Sequence, residues 1–174
     1  MSTLPGRPAA DEYQSFYAGY VAEATDDDVV TLLETQMGET LALFRGIDET
    51  QALHRYAAGK WSMKEVLGHI VDGERVFAFR AFSFARGESQ ELPGFEEDDY
   101  VAAANSDQRT LPSLLDEYES ARRASLALFR SFGAKEWMGR GTANGSEVSV
   151  RALAFIMAGH EAHHLRVLTE RYLG

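Results

Sequence analysis

The residues best suited to chemistry are the histidines near the C-terminus, in the stretch GHEAHHLRVLTERYLG at positions 159–174. His160 and His164 are four residues apart, so on a helix they share one face and both rings can reach one metal ion. The same residues fit the H-E-x-x-H motif of zinc proteases, in which the glutamate is a base. Either site needs a third ligand, and the origin of that ligand decides between them.

A protease-type site would take its third ligand from the residues after His164, and these match poorly. Only ten residues follow, and they continue the same helical period. Glu170 is rotated by about 240° from His164, at 100° per residue, and therefore faces away. Val167 stands where the extended protease motif has a glycine. We therefore interpret the protease pattern as accidental.

The alternative third ligand is His69, which lies on the apolar stripe of a predicted upstream helix. His160 and His164 also lie on an apolar stripe, so all three side chains are expected to point inward. Core histidines satisfied by hydrogen bonds are the competing interpretation. Three inward imidazoles from two helices instead resemble the way bundles build metal sites, with one position left open. Imidazole ligands suit zinc, nickel, copper or iron.

Four further residues are candidates for roles near such a metal. Glu161 could act as a general base on water, although we favour a solvated charge on the helix flank. His163 lies off the centre of the stripe, and we expect a surface position rather than support of a ligand. Asp72 is expected to accept the free N–H of the His69 ring. Arg80 is expected to pair with a buried carboxylate, with a substrate carboxylate as the alternative.

Apolar residues at helical spacing predict the elements that position these side chains. Ser62 and Glu65 form a capping box at the start of the second long segment. A shorter stripe from Tyr13 to Tyr20 predicts a lead-in helix. The four long predicted helices cover roughly residues 27–46, 63–86, 111–132 and 150–172.

The connections complete the predicted architecture. A long crossover, 87–109, joins the second and third helices, and its acidic run 96–99 is expected to be a solvated loop. Asn144 and Gly145 predict a small β-hairpin or turn within 139–150. The sequence therefore predicts an all-α fold, a four-helix bundle with one long crossover, in a single domain over residues 1–174.

Composition limits the possible partners and compartments. The 174 residues carry a formal net charge of −10, which disfavours nucleic acid and anionic membranes as partners. No apolar run approaches the length of a membrane span, and the N-terminus has no signal-peptide pattern, so we expect a cytoplasmic protein. The chain has no cysteine, so any thiolate in its chemistry must come from a cosubstrate.

Three stretches together resemble a known family. They are GKWSMKEVLGHIVDGERVFAFRAF at 59–82, LPGFEEDDYV at 92–101 and AGHEAHHLRVLTERYL at 158–173. The tryptophan–serine helix start, the histidine seven residues later and the terminal HxxxH resemble the DinB-like or YfiT-like metal-binding four-helix bundles. These damage-inducible proteins are unrelated to the DNA polymerase that shares the name.

The resemblance implies that His69, His160 and His164 hold a divalent transition metal, most often zinc or nickel. Members of this family transfer low-molecular-weight thiols such as bacillithiol, mycothiol or glutathione, or isomerise maleylpyruvate with a thiol, and homodimers are common. The expectation is a metal-dependent enzyme that activates a thiol cosubstrate for transfer to a small electrophile. The alternatives are a metal-dependent hydrolase and a non-enzymatic metal-binding or ligand-binding protein of a stress response.

Overall fold

A computed structural model describes residues 5–174. In this range the chain forms eight α-helices and one small two-stranded sheet. Residues 1–4 belong to the N-terminal segment in which we predicted no signal peptide, and they lie outside the described residues. Strands β1 (Arg140–Ala143) and β2 (Ser146–Ser149) pair antiparallel. The helices are α1 (Ala18–Glu23), α2 (Val29–Arg45), α3 (Glu49–Ala52), α4 (Met63–Ala85), α5 (Glu97–Ala104), α6 (Leu111–Arg130), α7 (Ala134–Trp137) and α8 (Val150–Val167).

The four long helices α2, α4, α6 and α8 are the four predicted from apolar periodicity, and they form a bundle. Each of α4 and α2 packs against both α6 and α8, so α2 and α4 lie diagonally across the bundle. The predicted fold class is confirmed, including the long crossover and the hairpin. The last predicted helix, 150–172, is α-helical from Val150 to Val167 and ends in a π-helical turn, Leu168–Tyr172.

Local sequence explains where the key helix begins and where the hairpin turns. The Ser62 side chain accepts a hydrogen bond from the Glu65 backbone N–H, and the Glu65 carboxylate accepts one from the Ser62 backbone N–H, as the capping box predicts. Asn144 and Gly145 both have positive φ, 52° and 74°, which is the conformation that a two-residue hairpin turn requires. The capped start of α4 places His69 two turns into that helix.

The crossover contains a helix that was not expected. The acidic run 96–99 was predicted as a solvated loop, and that prediction is wrong, since it forms the cap and first turn of α5. Carboxylates are favourable at a helix N-terminus, where they face the positive end of the helix dipole. No helix in the described part of the chain is both long and apolar enough to cross a membrane.

The lead-in stripe also forms helix, although only its second half is α-helical. Helix α1 follows a 3-10 turn at Ser15–Tyr17 and packs against α8. The approach is close at Gly159, where a Cβ atom would lie 1.7 Å from the Tyr20 carbonyl oxygen. A glycine is therefore required at this position to bring α1 against the histidine-bearing part of α8.

Candidate metal centre

His69 of α4 and His160 and His164 of α8 converge at one point in the bundle. The Nε2 atom of His160 lies 2.9 Å from Nε2 of His69 and 3.2 Å from Nε2 of His164. One nitrogen from each ring lies within 4.8 Å of the other two. His69 and His160 are buried, whereas His164 is partly exposed on the open side. The structure thus brings together the three histidines that the sequence analysis selected.

Hydrogen bonding within the protein does not account for this arrangement. A neutral imidazole nitrogen has either one N–H or one lone pair, so Nε2 of His160 can make one good hydrogen bond. Two other ring nitrogens nevertheless lie within 3.2 Å of it. A single cation at the centre would satisfy all three lone pairs together. The residues present therefore fit a transition metal ion.

Burial keeps the three rings in the neutral form that metal binding requires. Desolvation lowers the pKa of His69 to about 4, against a smaller opposing effect of Asp98. Desolvation, together with the other histidines, lowers the pKa of His164 to about 3 and that of His160 well below its ordinary value. Without a metal, the triad is therefore uncharged at neutral pH.

Residues from several elements fix the orientation of the rings. Gly73 leaves room for His160, because a Cβ atom at position 73 would lie 2.9 Å from its Cε1 atom. The Trp61 ring lies over His69 with 4.8 Å between centroids, and Tyr20 of α1 meets His160 edge-on at 5.5 Å. Tyr20 thus covers His160, and Trp61 stands between His69 and the cavity that Trp61 also lines.

A cavity of about 410 Å³ opens beside the triad and reaches His164. Its size suits a small molecule. The Tyr172 hydroxyl donates a hydrogen bond to the Trp61 carbonyl oxygen and so fixes two of its walls. Its lining combines aromatic, aliphatic and polar residues: Tyr56, Gly59, Lys60, Trp61, Val66, Asp98, His163, His164, Val167 and Tyr172.

Glu161 is neither on the solvated flank of α8 nor free to act as a base. Its side chain is 1% exposed. Its Oε1 atom accepts hydrogen bonds from Thr40 at 2.5 Å and from Tyr118 at 2.6 Å, and Oε2 is paired with Arg122. The prediction of a solvated charge is wrong, because position 161 faces α2 and α6 rather than water. The general-base hypothesis has no support from this geometry.

Asp72 does not orient His69, so that prediction is also wrong. The Nδ1 atom of His69 is buried and has no hydrogen-bond partner among the described residues. Burial raises the pKa of Asp72, while the neighbouring charges of Arg75 and Glu117 act in opposite directions. Asp72 lies three residues after His69 on α4, and this rotation directs it toward α6.

Arg80 lies away from the triad, whereas His163 lies at the rim of its cavity. The buried Arg80 guanidinium donates to the Pro93 carbonyl oxygen at 2.9 Å and so ties the crossover to α4. The favoured pairing with a buried carboxylate is wrong, since none contacts it in residues 5–174. The His163 side chain is partly exposed at the cavity rim, with Nδ1 3.4 Å from Glu23 and 3.2 Å from Arg166.

The sequence analysis did not identify two residues that the structure places in important contacts, Glu97 and Arg122. Glu97 of α5 reaches the triad, with Oε2 3.7 Å from Nε2 of His69, and nothing in its local sequence indicates this contact. Arg122 binds both Glu74 and Glu161 in the interior. Its position on the apolar stripe of α6, between Tyr118 and Ser125, was a usable signal, because a charged residue on such a stripe needs a buried partner.

Comparisons with known proteins agree with this fold. A sequence model of the DinB superfamily matches residues 32–168. No curated protein matches the chain. YfiT from Bacillus subtilis, reported as a probable metal-dependent hydrolase with an unusual four-helix bundle topology, is similar with a TM-score of 0.67 and 14% identity. The alignment covers 94% of this chain and 89% of YfiT.

A second solved structure is similar over a smaller share of its own length. It is a mycothiol-dependent maleylpyruvate isomerase, with a TM-score of 0.66 and 13% identity. The alignment covers 88% of this chain and 62% of the isomerase, so more than a third of the isomerase has no counterpart here. At these identities the two structures show a shared fold.

Proposed function

The chain belongs to the DinB superfamily, and from this premise we propose that it is a metal-dependent enzyme with His69, His160 and His164 as ligands. The observation that carries the proposal is the convergence of three ring nitrogens beside an open cavity. Zinc or nickel is the ion we expect, although copper and iron also accept imidazole ligands.

The reaction we propose is transfer of a low-molecular-weight thiol to a small electrophile. When bound, the metal would supply Lewis-acid chemistry that lowers the pKa of the thiol toward neutrality. The chain has no cysteine, so the sulfur nucleophile must enter through the cavity as a cosubstrate. His164 faces that cavity, and Trp61 and Tyr20 shield the other two rings from water. The thiol-dependent isomerase of similar fold supports a thiol partner.

Hydrolysis is the second candidate, favoured by the reported character of YfiT. It would require a proton acceptor for the attacking water. Glu161, the residue that the HEAHH pattern offers for this role, is held by Arg122, Tyr118 and Thr40. A bound metal would lower the pKa of water as well as that of a thiol, but a thiol starts from a pKa of about 8.5 and water from about 15.7. The thiol would therefore release its proton to solvent more readily without a protein base, and thiol transfer is the preferred reaction. A metal-binding protein without catalysis, acting in a stress response, is the remaining alternative.

The first test is metal content by elemental analysis of purified, tag-free protein. We expect about one transition metal per chain, lost in each of His69→Ala, His160→Ala and His164→Ala. His54→Ala is the matched control, because His54 is exposed and outside the triad. Full metal content in the triad variants, or no metal after incubation with zinc and nickel, would overturn the proposal.

The second stage identifies the reaction. The loaded protein is incubated with bacillithiol, mycothiol or glutathione and a chromogenic aryl halide, and the thioether and released halide are measured. We expect turnover with at least one thiol and loss of at least about 100-fold in His160→Ala, since this variant removes the central ligand. Ester hydrolysis without thiol dependence would favour the hydrolase. Metal binding without either activity would favour the non-catalytic metal-binding protein.

The family resemblance also implies a homodimer. Light scattering of the purified protein tests this expectation.

A further inference from the structure

A carboxylate from the crossover approaches the histidine triad. The Oε2 atom of Glu97, the first residue of α5, lies 3.7 Å from Nε2 of His69. In residues 5–174, no other carboxylate oxygen comes within 4.0 Å of a ring nitrogen of the triad. The buried His69 ring nitrogen that faces Glu97 is also the one that faces His160. Glu97 therefore lies beside the point at which the triad converges.

The separation between Glu97 and His69 matches that between two ligands of one ion. Two donor atoms at 2.0–2.1 Å from a common metal lie about 2.9 Å apart at a right angle, about 3.4 Å apart in a tetrahedron and at most about 4.2 Å apart. Oε2 of Glu97 lies 3.7 Å from Nε2 of His69, within that range. Glu97 contacts neither His160 nor His164, so its side chain must rotate further toward the centre of the triad to bind the same ion.

We propose that Glu97 is a fourth metal ligand, supplied by α5, that the substrate displaces when it binds. This inference rests on the proposed metal site. It changes the description of that site from three histidines with an open position to three histidines closed by one exchangeable carboxylate. Access to the metal then depends on the first turn of a crossover helix rather than on the bundle itself.

Charge supports the assignment. The three neutral imidazoles bring no negative charge to a divalent cation, whereas Glu97 brings one. Glu97 stands between the carboxylates of Glu96 and Asp98 in the chain, so a nearby cation would relieve the repulsion among the three. The first turn of α5, with Glu97, Asp98 and Asp99, therefore presents negative charge beside the triad.

The surroundings of Glu97 explain why the ligand is exchangeable. Its side chain is 59% exposed, and it makes no hydrogen bond to another residue in the described range. Rotation of this side chain toward water therefore breaks no hydrogen bond to a described residue and ends only its approach to His69. Asp98, the next residue, lines the cavity that reaches His164. A molecule that enters this cavity lies beside the first turn of α5 and can replace Glu97 without a change in the bundle.

The test compares metal binding in Glu97→Gln and Glu97→Ala with that in Asp99→Asn. Asp99 is the matched control, because it is an exposed carboxylate in the same helical turn and its loss changes the net charge equally. Each protein is stripped and titrated with cobalt(II) in competition with a chelator, and the visible absorption of the bound ion is recorded. Circular dichroism verifies that all variants are folded.

We expect both Glu97 variants to bind cobalt at least about tenfold more weakly than the unaltered protein, with a changed visible spectrum. Asp99→Asn should change affinity by less than about threefold. Unchanged affinity and spectrum in both Glu97 variants would overturn the proposal while leaving the histidine site in place. Cobalt binding that survives His160→Ala would instead overturn the proposed function itself.

Discussion

At the scale of single residues, neighbours in the sequence have unrelated roles because a helix turns by about 100° per residue. His160 faces α4 and the triad, whereas Glu161 faces α2 and α6. Arg122 holds Glu161 and forms two parallel hydrogen bonds to Glu74, and its third contact is the Leu33 carbonyl oxygen. One buried cation is thus shared by two carboxylates from different helices.

Replacing Arg122 with Met should therefore be strongly destabilising. The substitution leaves two buried carboxylates without their cation, and such a loss costs about 3–5 kcal/mol in the free energy of unfolding. Urea denaturation of the folded protein measures this change. Arg123→Met is the control, because Arg123 makes an exposed pair with Glu119 and should change stability by less than about 1 kcal/mol. Equal stability in the two variants would contradict the role of Arg122.

At the scale of elements, two helices supply the metal ligands and two short helices enclose them. Helices α4 and α8 pack side by side, which brings His69 against His160. Helix α1 contributes Tyr20 from near the start of the chain, and α5 contributes Glu97 from its middle. The contact of α1 depends on Gly159, where there is no room for a side chain.

Gly159→Ala should consequently displace α1 and lower stability by about 1–3 kcal/mol, because the new Cβ would overlap the Tyr20 backbone. Gly38→Ala is the matched control, since a Cβ at position 38 of α2 meets nothing within 4 Å. There the gain in helix propensity should stabilise the protein by about 0.5–1 kcal/mol. Thermal and urea unfolding of both variants provide the comparison, and a neutral Gly159→Ala would argue against this packing.

At the scale of the whole molecule, the triad lies between two hydrophobic clusters. One contains Phe77 and the first half of α8, and the other contains Val66, Ile70 and the Leu168 turn. Both clusters consist of side chains that need no metal for their burial. We therefore expect the stripped protein to remain folded at neutral pH, with its free energy of unfolding dependent on the protonation of the histidines.

The metal-free protein should lose stability as the pH falls below 6.5. The folded pKa values of His69 and His164, about 4 and about 3, lie below the value of about 6.5 in an unfolded chain. The unfolded chain then binds more protons, so stability is complete above pH 6.5 and declines toward the folded pKa values. The two groups together should lose about 4 kcal/mol of stability at pH 5. We therefore expect the Tm of chelator-treated protein to fall by about 10 °C between pH 7.5 and 5.

Two variants separate the triad from other titrating groups in this experiment. His164→Asn should reduce the pH dependence of Tm, because one of the groups with a lowered pKa is absent. His54→Asn should leave that dependence unchanged, since His54 is exposed. A pH dependence that is the same in both variants would show that the triad is not its source.

Local patterns were sufficient for much of this molecule. Apolar spacing predicted all four long helices, the Ser62 capping box located the start of α4, and Asn144 with Gly145 located the hairpin turn. The inward histidines were also recognisable, because each lies on the apolar stripe of its own helix. These features depend on interactions within a few residues of the chain, which the order of residues alone specifies.

The partners of polar residues depended instead on which helices become neighbours. Glu161 meets Arg122 across 39 positions of sequence, and Glu97, within the crossover, meets His69 on the preceding long helix. No local pattern encodes such contacts, since they arise when hydrophobic burial brings α4, α6 and α8 together and each buried charge must then find a counter-charge. The helices and candidate ligands thus follow from short-range periodicity, whereas the environment of each charge follows from packing between distant segments.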